Sequence, residues 1–373
     1  MIEHAAPEAA DMAETFIPDW VSPPGDSIAD LLEEKGWSQR ELAQRTGYTT
    51  KHISLLINGK APINQDTALK LEFVLGSNAR FWLNREALYR EAIARAEELD
   101  ALEADKDWLK QIPLKEMIRF KWINAFKHKG QQVAECLRYF GVASVNAWEN
   151  QYGALPVAYR ASPVFEKAIG PVAAWLRQGE KNASELDCQP YDAKRFRVLL
   201  EEFRALTQEA DPAVFLPRLI ARCAEAGVAV VVCPAPKGCP ASGATRWLTN
   251  DKALLMLSLR YKSNDHFWFT FFHEAAHLLL HQKRMMFLEV TKDGLDGKLE
   301  AEADAFARDW LIPPEAAQQL PLLDRTEPAI RAYAQQLGIA PGIVLGRMQK
   351  EQLEPWQSYL NELKVRYKWD HDE

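Results

Sequence analysis

The chain has 373 residues, 47% of them hydrophobic, and a formal net charge of -7. At about 150 residues per domain this length predicts two or three domains with true cores, and the acidic balance excludes the whole chain as a nonspecific polyanion binder. Five cysteines (Cys136, Cys188, Cys223, Cys233, Cys239) are an odd number without a CxxC pair. That excludes a disulfide framework or a cysteine zinc knuckle and predicts reduced thiols in a cytoplasm. Cys233 and Cys239 are read as packing and loop residues rather than a redox switch. Met1 to Phe16 has no basic start and no apolar block, so no signal peptide is expected, and runs such as Val228 to Cys233 are too short to span a bilayer.

Residues 1–25 read as a flexible lead ending in Ser22-Pro23-Pro24-Gly25. From Asp26 to about Arg95 the pattern is helical with short Gly-marked turns. Within it, Ser38 to Lys60 reads SQRELAQRTGYTTKHISLLINGK. Ser38 is a good N-cap and Glu41, three residues on, completes a capping box. Leu42 and Ala43 face inward, Gly47 makes the turn, and a second helix from Thr49 to Ile57 closes at Asn58-Gly59. With Ile53, Leu56 and Ile57 packing on the first helix, Thr50, Lys51, His52 and Ser54 are left on the outer side, where a recognition helix meets base edges. Gln39 and Thr49, at the starts of the two helices, complete the expected DNA-contacting set. Arg40, Arg45, Lys51 and Lys60 face only Glu41, so the local charge is positive. The segment resembles Xre-type helix-turn-helix domains. Pro24 to Arg90, with Phe81-Trp82-Leu83-Asn84 near its end, looks like the HigA-type antitoxins. The resemblance implies a homodimer on a palindromic operator; the alternative is a helix-turn-helix kept for protein contacts.

Glu91 to Lys110, charged and alanine-rich, reads as an exposed connecting helix. Residues 110 to 215 stay helical, rich in tryptophan and broken near Pro156, Pro163, Pro171 and Pro190, with no assignable chemistry. A helix over 213–226 then ends at Gly227 and leads into Val228 to Val232, a β-branched run read as a buried strand. Ala244 to Leu248 and Ala253 to Leu259 flank Thr249-Asn250-Asp251-Lys252 and suggest a hairpin. Phe267 to His281 is predicted helical, residues 284–298 a loop around Lys292-Asp293-Gly294 and Asp296-Gly297, and Leu299 to Leu311 a helix stopped by Pro313-Pro314. The expected layout is α+β, a small sheet with helices on one side. Ala334-x3-Gly338 followed by Val344 mirrors the spacing of the first helix-turn-helix but lacks a basic face, and is read as packing.

His273-Glu274-Ala275-Ala276-His277 places two histidines at i and i+4, about 40° apart on one helix face. Both imidazoles can reach one cation, and Glu274 flanks it as a general base for bound water. A histidine at 283 would be needed for the longer HExxHxxGxxH pattern, and that residue is Lys283. His281 is read as a helix-end residue near the C-terminal dipole, or as an accessory group. In Glu300-Ala301-Glu302-Ala303-Asp304, Glu300 and Asp304 share a face. Glu300 would complete a His2Glu site with an open position, Asp304 would accept the free N–H of a ligand histidine, and Glu302 is the alternative ligand. Tyr261, His266 and Arg246 are candidates for stabilising an oxyanion.

HEAAHLLLH at His273 to His281, followed by EAEADAFARDWLIP at Glu300 to Pro313, resembles the ImmA/IrrE metallopeptidases. Gly243-Ala244-Thr245-Arg246-Trp247 and Phe267 to Phe272 fit the same family, and the likeness spans roughly 190 to 350. Ala276 stands where many members carry glycine. The resemblance implies zinc-dependent cleavage of a repressor-type protein and carries the third ligand to Glu300 by motif position. The chain thus reads as multidomain: a lead (1–25), an all-α helix-turn-helix domain (26–98), a helical connecting region (99–190), an α+β zincin-like metallopeptidase domain with a small sheet and the HExxH helix (191–352), and a tail (353–373). The function expected is a cytoplasmic, DNA-binding regulator whose peptidase cleaves a repressor or antitoxin. The alternative is a repressor or antitoxin whose peptidase fold senses or binds a partner without turnover.

Overall fold

The computed structural model describes residues 22–153, 168–281, 287–288 and 297–368. The expected lead over 1–21, the breaks at Pro156 and Pro163, and the loop residues 292–296 lie outside these. Contacts divide the chain into two units, one comprising Pro7–Asp105 with His128–Gln131 and a larger one that includes Lys106–Lys127 and Gln132–Glu373.

The N-terminal unit is all-α: α1 (Pro24–Lys35), α2 (Gln39–Thr46), α3 (Thr50–Ile57), α4 (Gln65–Leu75) and α5 (Ala79–Glu103). Proline opens α1, where its missing N–H costs nothing. Side-chain oxygens of Ser38, Thr49, Asn64 and Asn78 accept the first free N–H groups of the next four helices. Ile28, Leu42, Ile53, Leu71 and Trp82 are fully buried between them. The expected capping box is half formed. Ser38 Oγ accepts from the Glu41 N–H at 3.2 Å, but the Glu41 carboxylate takes the Arg45 guanidinium at 2.9 Å instead of reaching back. The connecting helix expected to begin at Glu91 is also corrected. α5 runs unbroken from Ala79, because no glycine or proline interrupts it.

The larger unit begins with a 3-10 turn (Lys106–Gln111), α6 (Leu114–Arg119), α7 (Lys129–Phe140, counted here from Gln132) and α8 (Val145–Tyr152). Two tryptophans of this region are core residues: Trp108, Phe140 and Trp148 meet edge to face at 5.4–6.2 Å. Next come α9 (Ile169–Glu185), α10 (Ala193–Leu206), α11 (Pro212–Ala224), β1 (Val228–Val232), β2 (Gly243–Trp247), β3 (Ala253–Leu257), α12 (Asn264–Leu280) and β4 (Phe287–Leu288). α13 (Gly297–Leu311), α14 (Pro314–Ala317), α15 (Glu327–Leu337) and α16 (Pro341–Lys350) follow.

The strand order is β1-β3-β2-β4, with β1 parallel to β3 and the other pairs antiparallel. The predicted hairpin is β2–β3, Gly243 opposite Leu257. Alternation along the strands sends Val228, Val230, Leu255 and Leu257 into one core with Phe271 and Phe272 of α12. The intervening Ala229, Val231, Leu254 and Met256 enter a second core with Trp175 and Leu176 of α9. The expectation of helices on one side only is therefore corrected. β1 and β3 are apolar at every position because α9, from the stretch expected to be a connector, covers the far face.

The last described segment also belongs to this core. Leu360, Leu363 and Tyr367 are buried with the α12 aromatics. Val365 accepts from the Asn264 N–H at 3.0 Å, and Tyr367 N–H donates to Lys262 at 2.9 Å. Lys364 Nζ lies 2.6 Å from Asp265 Oδ2, with both side chains under 10% exposed. This last described turn thereby fixes where α12 begins. Ala334 and Val344 of α15 and α16 are fully buried, in keeping with packing rather than DNA contact.

Candidate metal centre and nucleic-acid interface

α12 is apolar nearly all round, as a helix buried between a sheet and other helices must be. Its polar residues are therefore deliberate. His273 is 1%, Glu274 0% and His277 2% exposed. Across from them α13 presents Glu300. His273 Nε2 and His277 Nε2 are 3.1 Å apart, and Glu300 carboxylate oxygens lie 3.2 Å from the first and 3.5 Å from the second. The edge of a tetrahedron with zinc-like bonds of about 2.0–2.1 Å is about 3.4 Å. Burial, reinforced by the adjacent His273 and His281, drives the His277 imidazole down to about 2 from an ordinary 6.5. The ring is thus neutral, the form that ligates. Two imidazoles and a carboxylate at these separations fit a zinc ion, and the described residues offer this possible His/Glu metal site as His273, His277 and Glu300.

Asp304, one turn beyond Glu300, places Oδ1 3.0 Å from His273 Nδ1. Glu302 points away from the three converging donors and lies 3.4 Å from His281 Nε2. His281 is the C-cap of α12, yet its ring is not merely a helix end: its Nδ1 is 2.8 Å from His277 Nδ1. The signal was present in the sequence, since 273, 277 and 281 repeat every four residues. Glu274 lies against the start of β2, where a β-carbon on Gly243 would meet its Oε1 at 2.4 Å. Of the oxyanion candidates, Arg246 is ion-paired with Glu180 of α9. Tyr261 stacks on His266 at 4.3 Å, and the two line a shallow depression with Ser242 and Thr270, the residue one turn before Glu274. Cys233 and Cys239 are buried; burial raises both thiols, Cys239 to about 12, so neither is a ready thiolate.

In the N-terminal unit, Gly47 adopts φ 74° between α2 and α3, the left-handed turn a helix-turn-helix needs. Gln39, Thr49, Thr50 and Lys51 are exposed, and His52 and Ser54 half-exposed. Two of the six also serve the helix itself. Thr49 Oγ1 accepts from the His52 N–H at 3.1 Å, and the Ser54 carbonyl accepts from Asn58 Nδ2 at 2.7 Å. The His52 ring packs on Tyr48 at 4.5 Å.

A helix-turn-helix and a helix-borne His/Glu site on one chain define a regulator joined to a metallopeptidase fold. Comparison with known proteins gives the same two parts. Residues 28–82 match the family described as helix-turn-helix, and residues 223–343 match the IrrE N-terminal-like domain. An uncharacterized HTH-type transcriptional regulator of Escherichia coli (strain K12), YddM, is 36% identical over 74 residues, covering 20% of this chain and 77% of that protein. The chain belongs to the proteins that join an N-terminal Xre-type helix-turn-helix to a C-terminal ImmA/IrrE-like peptidase domain. Among the described residues no helix is long and apolar enough to cross a membrane.

Proposed function

We propose that the chain is a cytoplasmic, DNA-binding regulator whose larger unit is a zinc-dependent endopeptidase acting on a protein of repressor or antitoxin type. The observation that carries this reading is the convergence of His273, His277 and Glu300 at zinc-like separations beside the buried Glu274. Zinc, when bound, supplies Lewis acidity toward a peptide carbonyl and acidifies water. His273 and His277 would hold the ion through the Nε2 atoms that face each other, and Glu300 through its carboxylate. Asp304 orients His273 by accepting a hydrogen bond from its Nδ1–H. Glu274 takes a proton from the attacking water and returns it to the departing amine nitrogen, a role typically contributing about 10² to 10⁴ in rate. A site with only a structural purpose needs no such base and no open position.

In the N-terminal unit, Gln39, Thr49, Thr50, Lys51, His52 and Ser54 face the operator. Exposed Leu69, Phe73 and Leu88 on α4 and α5 support self-association as a homodimer, as palindromic operators require. The likeness to HigA-type antitoxins supports a role in a toxin–antitoxin circuit.

The test has two arms. Purified full-length protein should hold about one zinc per chain, lost in His277→Ala and in Glu300→Ala. Retention in Glu300→Ala alone would move the third ligand to Glu302 or His281. Comparison of new protein N-termini in cells carrying wild type or Glu274→Gln should show a cleavage product missing from the variant. Should Glu274→Gln keep every product and phenotype, turnover is refuted and the sensor or partner-binding reading takes its place.

A further inference from the structure

The larger unit holds a cationic stretch that neither the metal site nor the helix-turn-helix uses. Between Ile112 and Lys127 the sequence carries Lys115, Arg119, Lys121 and Lys127 against one acid, Glu116, in a chain of net charge -7. All four cations are exposed. Other exposed cations are neutralised one helical turn away, as Arg45 is by Glu41, Arg95 by Glu91 and Arg331 by Glu327. The ion pairs flanking the stretch are Lys110–Asp107 and Arg138–Glu135; none of the four joins a carboxylate among the described residues. The surface that carries them is firmly built. α6 buries Met117 and sets Lys115 and Arg119 one turn apart, about 6 Å along its axis. At its end Trp122 N–H donates to the Met117 carbonyl and Lys121 N–H to that of Ile118, both at 2.9 Å, a Schellman turn. Lys121 is the left-handed residue of that turn, φ 58°, where glycine is usual. Beyond Trp122, buried Gln132 of α7 accepts from the Phe126 N–H at 2.9 Å and donates to the Asn124 carbonyl at 3.2 Å. Glu135 accepts from the Asn124 N–H at 3.0 Å, and Lys127 follows this clasped loop directly.

We propose that Lys115, Arg119, Lys121 and Lys127 form a DNA-backbone contact in the larger unit, separate from the helix-turn-helix and blind to sequence. The proposal rests on the DNA-binding reading given above. An acidic chain is repelled by DNA as a whole, so attraction must come from local concentrations of positive charge. A duplex presents one negative charge about every 1.7 Å of its axis, and cations spread over a helix and a loop can each meet a phosphate. Such contacts position a protein without reading bases, which suits long exposed side chains. A glycine at 121 would hold the left-handed turn with less strain. Lysine there keeps a charge for which the turn alone has no use. DNA is the occupant favoured over an acidic protein because the same chain carries a DNA reader. Covalent linkage to a bound helix-turn-helix raises the local concentration of phosphates around the larger unit.

Full-length protein and a labelled duplex of random sequence test this contact, by fluorescence anisotropy over a series of salt concentrations. The slope of log K against log salt reports the number of phosphates neutralised. Lys115→Gln, Arg119→Gln, Lys121→Gln and Lys127→Gln together should flatten that slope by about 2 to 4 and weaken binding at least about 10-fold at low salt. Glutamine at Lys194, Arg218, Lys237 and Arg325, exposed cations on other elements, changes the net charge equally and should leave the slope as in wild type. Lys121→Gly alone should melt no lower than wild type yet lower the slope by about 1, a split that a purely structural lysine would not give. An unchanged slope in the fourfold variant, or an equal loss in the control, would overturn the contact. Displacement of the duplex by polyglutamate at matched charge concentration would overturn it in favour of an acidic protein partner. Wild type that binds no duplex even at low salt would sink the DNA-binding reading itself, whereas an unchanged slope in the fourfold variant removes this contact alone.

Discussion

A β-carbon added to Gly243 would sit 2.4 Å from Glu274 Oε1 and 2.7 Å from its Cγ. The start of β2 is thus the wall against which the proposed base is held, and the third neighbour in that wall is Thr270. Gly243→Ala should leave zinc content unchanged while displacing the Glu274 carboxylate, visible in a crystal structure of the variant. Overpacking of this kind typically costs about 1–3 kcal/mol of stability, and a carboxylate moved by about 1 Å can lose about 10²-fold in rate. A Glu274 that stays in place would show the close approach to be incidental.

Asp304 anchors His273. With its carboxylate gone, His273 loses the acceptor that fixes its ring, and zinc affinity should drop about 10- to 100-fold in Asp304→Ala. Asp304→Asn retains an oxygen and should lose less. Chelator competition on both variants checks the order; equal affinity in all three proteins would remove Asp304 from the centre.

Burial holds the folded-state value of His277 well below its ordinary 6.5, so the unfolded chain binds the extra proton first as pH falls. The stability tied to this neutral ring is complete above about pH 6.5 and is lost progressively toward pH 2, at up to about 1.4 kcal/mol per pH unit. His266, also lowered mainly by burial, titrates in the same sense. Urea melts of metal-free protein at pH 7.5, 6.0 and 5.0 should show the decline, with a shallower slope in His277→Asn. A flat profile in wild type would contradict it.

The Lys364–Asp265 pair is buried on both sides. Removing one partner strands the other, and Lys364→Met should cost about 3–5 kcal/mol. Adding Asp265→Asn should recover much of that loss, because no uncompensated charge then stays buried. Thermal unfolding of the two variants separates this from a simple packing defect, in which the second change would only add to the first.

In the N-terminal unit, Lys51 is exposed near the start of α3. If it meets a phosphate, Lys51→Ala should weaken binding to all duplexes alike and lower the salt slope by about 1. If it reads a base, discrimination among duplexes selected from random sequence should change instead.

Local chemistry made much of this legible. The β-branched run of β1, the proline stop after Leu311 and the i, i+4 histidines each carry a short-range rule, and each element lies where its rule placed it. What escaped was decided by distant partners. Nothing in Ile169 to Glu185 announces that it will cover a sheet built from residues 228–257; only the all-apolar strands hint that a second layer must exist. Glu41 was free to cap or to pair, and Arg45 four residues on won it. The surroundings of His281 needed the position of α13, since Glu302 approaches it from another helix.

The bond between Asn264 and Val365 spans 101 residues. The start of the histidine-bearing helix is consequently secured by nearly the last described stretch of chain. During synthesis the helix-turn-helix can finish folding on its own contacts long before Lys364 and Tyr367 leave the ribosome. Newly made molecules should therefore hold a folded helix-turn-helix while still lacking a settled peptidase core. A ribosome stalled before residue 360 would carry a chain of that kind, competent in one half and unfinished in the other.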